Sequence, residues 1–397
     1  MEKLNGKCLA VFRLVFLMSL MAAVSSANAG NKVIAWGAGT VNDPSDGYDF
    51  GQSIVPANLT NAVQLAGGRW HSLALKANGT LQGWGDDDSG QIDCPSGSNF
   101  VAIACGSIHS LALESNGLVA AFGDDIYGEL EVPESLSNVV AIACGFYHSL
   151  ALQSDGAVVA WGAGEDSTSI GVVPNYGQSI VPVGLSNVVA IAAGGYHSLA
   201  LKSNGTLTEW GDQTNIPLGL SNVVAIATGA ESNIALTTDG TLIVWGTSTY
   251  GEANVPAALS NVLAITDGSW HTLALTKSGT VVAWGAGTGD NTYVDFGQNV
   301  VPTGLSNIVQ VAAGWYHSLA LDGSHPPTVE VSLAVNSFIN ISSPSSNGRV
   351  YQLEYANSLT DPIWTALPLQ FGNGGALELN DPSAANATQR FYRLNRW

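Results

Sequence analysis

The stretch "GGRWHSLALKANGTLQGWG", Gly67 to Gly85, decides how this 397-residue chain is read. An apolar Leu-Ala-Leu run leads to Asn78-Gly79, and a second strand-like run ends on Trp84-Gly85. Asn-Gly between two such runs is a strong hairpin signal, because both central residues of the favoured turn need positive φ. The frame returns as "CGSIHSLALESNGLVAAFG" ending at Gly123, "CGFYHSLALQSDGAVVAWG" at Gly162, "GGYHSLALKSNGTLTEWG" at Gly211 and "DGSWHTLALTKSGTVVAWG" at Gly285. A degenerate copy, "TGAESNIALTTDGTLIVWG", ends at Gly246. The His position falls at His71, His109, His148, His197, Ser232, His271 and His317, which makes seven copies. A sustained repeat of this kind sets the architecture before any single residue does.

In each complete copy the His and Trp positions lie 13 residues apart, whereas successive copies are spaced by 35 to 49 residues. The unit is therefore rigid and its connections vary. An upstream "VVAIAxG" adds another strand, so about four strands per unit are expected, as in a propeller blade. The chain is permuted against its own repeat: Trp36-Gly37 has no His strand before it, and His317 has no Trp strand after it. Pairing of residues 33–37 with residues 317–321 would complete a seventh blade and close a ring, removing the free strand edges that invite aggregation.

The unit Gly-x-x-His-[Ser/Thr]-x-Ala-Leu, Gly-x-[Val/Leu], Trp-Gly resembles the repeat of the regulator of chromosome condensation family over roughly Asn31 to Asp322. The resemblance implies an all-β fold, a seven-bladed β-propeller. The segments "WGDDDSGQIDCP" and "FGDDIYGELEVP" look like those of secreted bacterial members, such as the propeller-type β-lactamase inhibitory protein. In that relative, the resemblance implies, aromatic residues at such turns engage a partner protein.

Composition and the chain ends agree with export. Lys3, Lys7 and Arg13 precede the apolar run Leu14 to Met21, which leads to Ala27-Asn28-Ala29, so residues 1–29 read as a cleaved signal peptide and the mature protein as secreted or at the cell surface. Residues 30–325 form the expected propeller. They carry five basic against 25 acidic side chains. Such a surface repels phosphate backbones, which excludes nucleic acid as a partner, and nothing after the signal segment suggests membrane insertion. Beyond "GSHPPTVEV", residues 326–397 alternate like strands and are expected to form a small β-sandwich-like domain.

Candidate site residues come from the two positions before each His, which vary while the frame stays constant. They include Arg69, Trp70, Phe146, Tyr147, Tyr196, Glu231, Trp270, Trp315 and Tyr316. Rotational symmetry places them in a ring on one face. Trp, Tyr and Arg are the residue types that anchor interfaces, so the ring is either a binding face or a plug over the central shaft. The six histidines are read as structural, each hydrogen-bonded within its own blade, and the Trp-Gly tryptophans as packing between blades. Acidic loops after Trp-Gly (Asp43, Asp46 and Asp49; Asp86 to Asp88; Asp124 and Asp125; Glu165 and Asp166; Asp212; Asp290 and Asp295) reproduce no complete calcium loop and read as a solvated rim. No metal, cofactor or catalytic group is assigned. Cys105 and Cys144 share one repeat slot and read as small core residues. The expectation is a monomeric, non-catalytic scaffold for an extracellular protein or glycan. An extracellular enzyme, a hydrolase or lyase centred near Glu231, and a structural or adhesive surface protein relying on the tail are the alternatives.

Overall fold

A computed structural model describes residues 31–323, except 166–170, 172, 213–214 and 288–293, together with the backbone of six strands between residues 339 and 396. The signal segment, Asp166 and Asp290 lie outside the described residues, as does the side chain of Asp46.

The described residues fall into two compact units. In the first, the repeat folds as seven three-stranded antiparallel sheets. Blade I comprises Ala62–Gly67, His71–Lys76 and Leu81–Gly85. Blades II to VI repeat this order around the middle strands His109–Glu114, His148–Gln153, His197–Lys202, Ser232–Thr237 and His271–Thr276. Blade VII takes Ile308–Ala313 and His317–Asp322 from one end of the unit and Lys32–Gly37 from the other. Its register sets Trp36 opposite Ser318 and Gly37 opposite His317, as Trp84 and Gly85 face Ser72 and His71 in blade I. Blade VII then joins blade I: the Leu65 amide donates to Gln310 Oε1 at 2.9 Å, and Gln310 Nε2 returns a bond to the Leu65 carbonyl at 3.2 Å. A small cavity of about 80 Å³ is lined by the ends of all seven first strands, from Gly67 round to Ala313, and marks the central shaft.

The expectation of four strands per unit is corrected to three among the described residues. The segment between Trp-Gly and the next blade carries a proline and, in six of the seven connections, ends on an asparagine in the left-handed region (Asn61, Asn138, Asn187, Asn222, Asn261 and Asn307, φ between 54 and 59°). Proline removes a ladder donor, and a left-handed residue breaks strand geometry, so the segment turns instead of pairing.

The first five residues of every middle strand are buried. Their alternation explains the Leu-Ala-Leu motif. The two outer aliphatic side chains of one blade pack on the alanine and tryptophan of the next: Leu111 and Leu113 on Ala151 and Trp161, Leu150 and Leu152 on Ala200 and Trp210, Leu319 and Leu321 on Ala74 and Trp84. The small alanine lets sheets approach, and the indole fills the wedge between them. Removing one such leucine costs about 2–5 kcal/mol by the usual core scale.

The second unit is described by its backbone alone. Ile339–Pro344 pairs with Ala376–Asp381, and Val350–Ala356 pairs with Phe391–Arg396, Thr365–Ala366 and Gln370–Phe371, all antiparallel.

Candidate functional site

Each candidate residue sits on a two-residue hairpin apex between the first and middle strands. The Gly68 amide donates to the His71 carbonyl at 2.8 Å, leaving Arg69 and Trp70 as the apex; equivalent bonds close the other units. The glycine is needed because the imidazole lies against it. A Cβ on Gly68 would stand 2.1 Å from His71 Cε1, and one on Gly145 would stand 2.1 Å from His148 Cε1. Neighbouring apexes are then chained by backbone bonds, Arg69 N to Ser107 O, Ser107 N to Phe146 O, Phe146 N to Gly194 O and Trp315 N to Gly68 O, which fixes the apex ring.

The histidines do not bond within their own blades, as the sequence suggested; they link adjacent ones. His71 Nε2 meets Ser110 Oγ at 3.0 Å, His109 meets Ser149 at 3.1 Å, His148 meets Ser198 at 2.9 Å, His271 meets Ser318 at 2.8 Å and His317 meets Ser72 at 2.8 Å. Each of these serines except Ser149, whose bond is longer, donates its single hydroxyl proton to a loop carbonyl within 3.0 Å (Ser72 to Gln52 and Ser110 to Gln91, for example). The serine must therefore accept, so the imidazole is the neutral Nε2–H tautomer. Burial holds these imidazoles neutral, lowering His71, His148, His271 and His317 to about 3 and His109 and His197 to about 4. Sequence reading missed the link because it crosses 39 to 50 residues, or 245 where the ring closes, and requires the curvature of the ring.

The two residues of an apex take different roles. The first approaches the shaft: Phe146 of blade III and Trp315 of blade VII, which are not neighbours, stack across its mouth with centroids 4.0 Å apart. The Arg69 guanidinium lies 3.7 Å over the Trp70 ring and 4.6 Å over that of Trp315. These residues form a plug. In five of the seven apexes the second residue points to an aromatic partner in the preceding loop: Phe50 against Trp70, Tyr127 against Tyr147, Tyr176 against Tyr196, Tyr250 against Trp270 and Phe296 against Tyr316, with centroids 5.1 to 6.1 Å apart. The loop aromatics were not among the sequence candidates. Their signal was present: each precedes Gly-Gln or Gly-Glu, and each lies 20 residues before its partner. The buried Gln or Glu after that glycine holds the loop, its side chain accepting the amide of the aromatic in every case (Phe50 N to Gln52 Oε1 at 2.9 Å, Tyr127 N to Glu129 Oε2 at 2.8 Å). Trp70, Tyr147, Tyr196 and Trp270 remain partly exposed, whereas Tyr316 is buried.

The two ends of the blades differ in their cations. Because Gly85 faces His71, every loop after Trp-Gly leaves beside the apexes, bringing Asp49, Asp86 to Asp88, Asp124, Asp125 and Glu165 to the aromatic end. The lysines Lys32, Lys76, Lys202 and Lys277 lie at the opposite end of their blades, where Glu114, Asp155, Asp239 and Asp322 offset them. Among the described residues, Arg69 is the cation of the aromatic end.

The degenerate unit is accounted for by packing. Ser232, in the His slot, donates to Asp267 Oδ2 at 2.6 Å, and Thr272 donates to Asp267 Oδ1 at 2.7 Å, so a carboxylate restores the missing link between blades V and VI. Burial raises Asp267 to about 7. Glu231 is exposed on the rim. Cys94, Cys105 and Cys144 are free thiols; Cys105 and Cys144 line the shaft, and burial pushes all three up, Cys94 to about 11. Among the described residues no group of three or more His, Cys, Asp or Glu side chains is placed to hold a metal ion.

Five stretches, residues 62–91, 139–167, 188–215, 223–252 and 264–293, match the model of the regulator of chromosome condensation (RCC1) repeat. The chain is an RCC1-repeat protein. The blades left out are II, where Phe122 replaces tryptophan, and VII, which is divided between the ends of the unit. Among solved structures the chain resembles Prp20p of Saccharomyces cerevisiae, studied with its binding to Gsp1p and histones, at 21% identity over 78% of this chain and 94% of that one, with a TM-score of 0.57. It also resembles yeast RCC1 (Prp20) bound by Kap60, at 20% identity over 81% and 94% with a TM-score of 0.57, and human WBSCR16, at 19% over 74% and 98% with 0.52. At these identities the likeness is one of fold. No curated protein matches the sequence.

Proposed function

We propose that this RCC1-repeat protein is an exported, non-catalytic, monomeric scaffold that engages a protein partner through the aromatic end of its propeller. The observation that carries the reading is the pairing of apex and loop aromatics. Five pairs, each built from two connections of the same ring, hold aromatic rings on a rigid base, and all but Tyr316 of these rings remain partly exposed, the arrangement from which binding hot spots are made. RCC1-fold neighbours that bind proteins, such as Prp20p with Gsp1p and histones, lend support at the level of the scaffold. Export rests on the pattern of residues 1–29, and the excess of acidic side chains argues against nucleic acid. The catalytic alternative loses its ground, since the substitutions around Glu231 serve the link from Ser232 to Asp267.

The test is capture of the partner from the medium of the producing cells, followed by affinity measurement with purified proteins. Trp270→Ala and Tyr147→Ala should each weaken binding at least about 30-fold, as hot-spot truncations of about 2 kcal/mol do, in protein that still unfolds cooperatively above the assay temperature. Lys76→Ala and Lys202→Ala, at the opposite end, should leave affinity unaltered. Binding that survives both aromatic changes, or that is lost with either lysine, would move the interface elsewhere.

A further inference from the structure

The aromatic face is not uniform. Over blades III and IV its rings are tyrosines: Tyr127 to Tyr147 at 5.2 Å, Tyr147 to Tyr196 at 6.2 Å and Tyr196 to Tyr176 at 5.2 Å, with Phe146 behind Tyr147 and Tyr196 at 6.2 and 5.6 Å. The patch spans two blades and the loops before them, and Tyr127 is 42% exposed. Carboxylates bound it on both sides. Asp124 and Asp125 stand in the loop that carries Tyr127, held by amides of Ile126 and Leu130, and exposed Glu231 lies on the apex of the next blade. Asp124 and Glu129 are close enough to Tyr147, and Glu231 to Tyr196, for their charges to add to burial, the larger cause, in raising the phenols. Arg69 also acts on Tyr147, but its guanidinium is already stacked on Trp70 and Trp315.

Aromatic faces attract cations through their quadrupole, and Tyr and Trp faces do so most. Flanking carboxylates add Coulomb attraction, and the long-range field of five basic against 25 acidic side chains steers a positive partner toward this end, since the lysines are at the other. Building on the scaffold reading, we propose that the patch Tyr127, Tyr147, Tyr196 and Tyr176 is the anchor site for arginine or lysine side chains on a basic segment of a protein partner. An acidic partner would meet repulsion from the rim, and a neutral glycan, although its hydroxyls can donate to carboxylates, would gain nothing from the long-range field.

The probe is fluorescein-labelled octa-arginine, read by anisotropy against the full-length protein at about 50 mM and 500 mM salt, where screening differs strongly. Binding is expected at low salt and weakened at high salt. Tyr147→Leu with Tyr196→Leu, which keeps apolar bulk and removes the π faces, should lower affinity about tenfold, and Asp124→Asn with Glu231→Gln should do so as well. If the double tyrosine variant does not fold, judged by melting, Tyr176→Leu alone replaces it, with a loss of about threefold. The proposal fails if octa-arginine binds equally to the tyrosine variants, if octa-glutamate binds better than octa-arginine, or if a neutral oligosaccharide such as a chitin hexamer competes for the patch. A captured partner that depends on Trp270 but not on Tyr147, Tyr196 or the carboxylates would keep the scaffold reading and overturn this one.

Discussion

Gly145 shows how a single residue type follows from its surroundings. Its φ is not in the left-handed region, so backbone freedom does not call for glycine there; space does. A Cβ would meet His148 Cε1 at 2.1 Å, Nδ1 at 2.4 Å and the Gly194 carbonyl at 2.5 Å. The ring is pinned by its bond to Ser198, and the carbonyl belongs to the apex of the next blade, so neither yields cheaply. Gly145→Ala should therefore destabilise the protein by about 1–3 kcal/mol, the usual cost of overpacking, measurable as a lower urea midpoint with an unchanged m-value.

At the scale of one element, the third strand of blade IV carries a replacement part. In blades I, III, IV, VI and VII the tryptophan Nε1–H donates to a loop carbonyl, that of Gln52, Glu129, Gln178, Glu252 or Gln298, at 2.7 to 2.8 Å. The connection from blade IV to blade V is short and has no Gly-Gln or Gly-Glu. There Glu209 supplies the acceptors: Trp245 Nε1 donates to its Oε2 at 3.3 Å, and Asn233 Nδ2 donates to its Oε1 at 2.8 Å. Glu209→Ala would strand two donors in the interior, each worth about 1–3 kcal/mol, so a fall of at least about 2 kcal/mol is expected by chemical denaturation. Restoring the acceptor by lengthening the loop with Gly-Gln should recover part of it. Such exchanges mark the limit of what the chain shows by itself. The repeat, the ring closure through Trp36 and the ring of apex residues were legible, because they depend on spacing and register alone. The histidine link, the division of each apex into plug and rim, and the loop aromatics were not, since each depends on how far one blade turns against the next. The fourth strand was expected from length, and proline and left-handed asparagines overruled it.

For the whole molecule, the blade interfaces set how stability follows pH. Six histidines are buried neutral, with pKa values near 3 to 4 against 6.5 when unfolded, so the unfolded chain binds more protons and stability falls as pH drops below about 6.5. Three strongly raised carboxyls act in the opposite sense, with Asp86 raised in the same direction by burial. Burial raises Glu129, Glu209 and Asp267 to about 7, so the folded chain binds more protons there, and their contribution to stability falls as pH rises from about 4.5 to 7. The six outweigh these, so thermal stability should climb from pH 4.5 to about 7 and then level off. Glu129 tests the minority term. It occupies the slot that holds Gln52, Gln91, Gln178 and Gln298 in other loops, and its Oε1 is buried without a hydrogen-bond partner. Glu129→Gln keeps the acceptor for the Tyr127 amide and removes the buried charge. The variant should melt higher than wild type at pH 8 and no higher at pH 4.5, with a steeper rise between. Melting curves by circular dichroism at half-unit steps decide it, and a variant less stable than wild type at pH 8 would show that the carboxylate is favoured in that slot by contacts stronger than its desolvation.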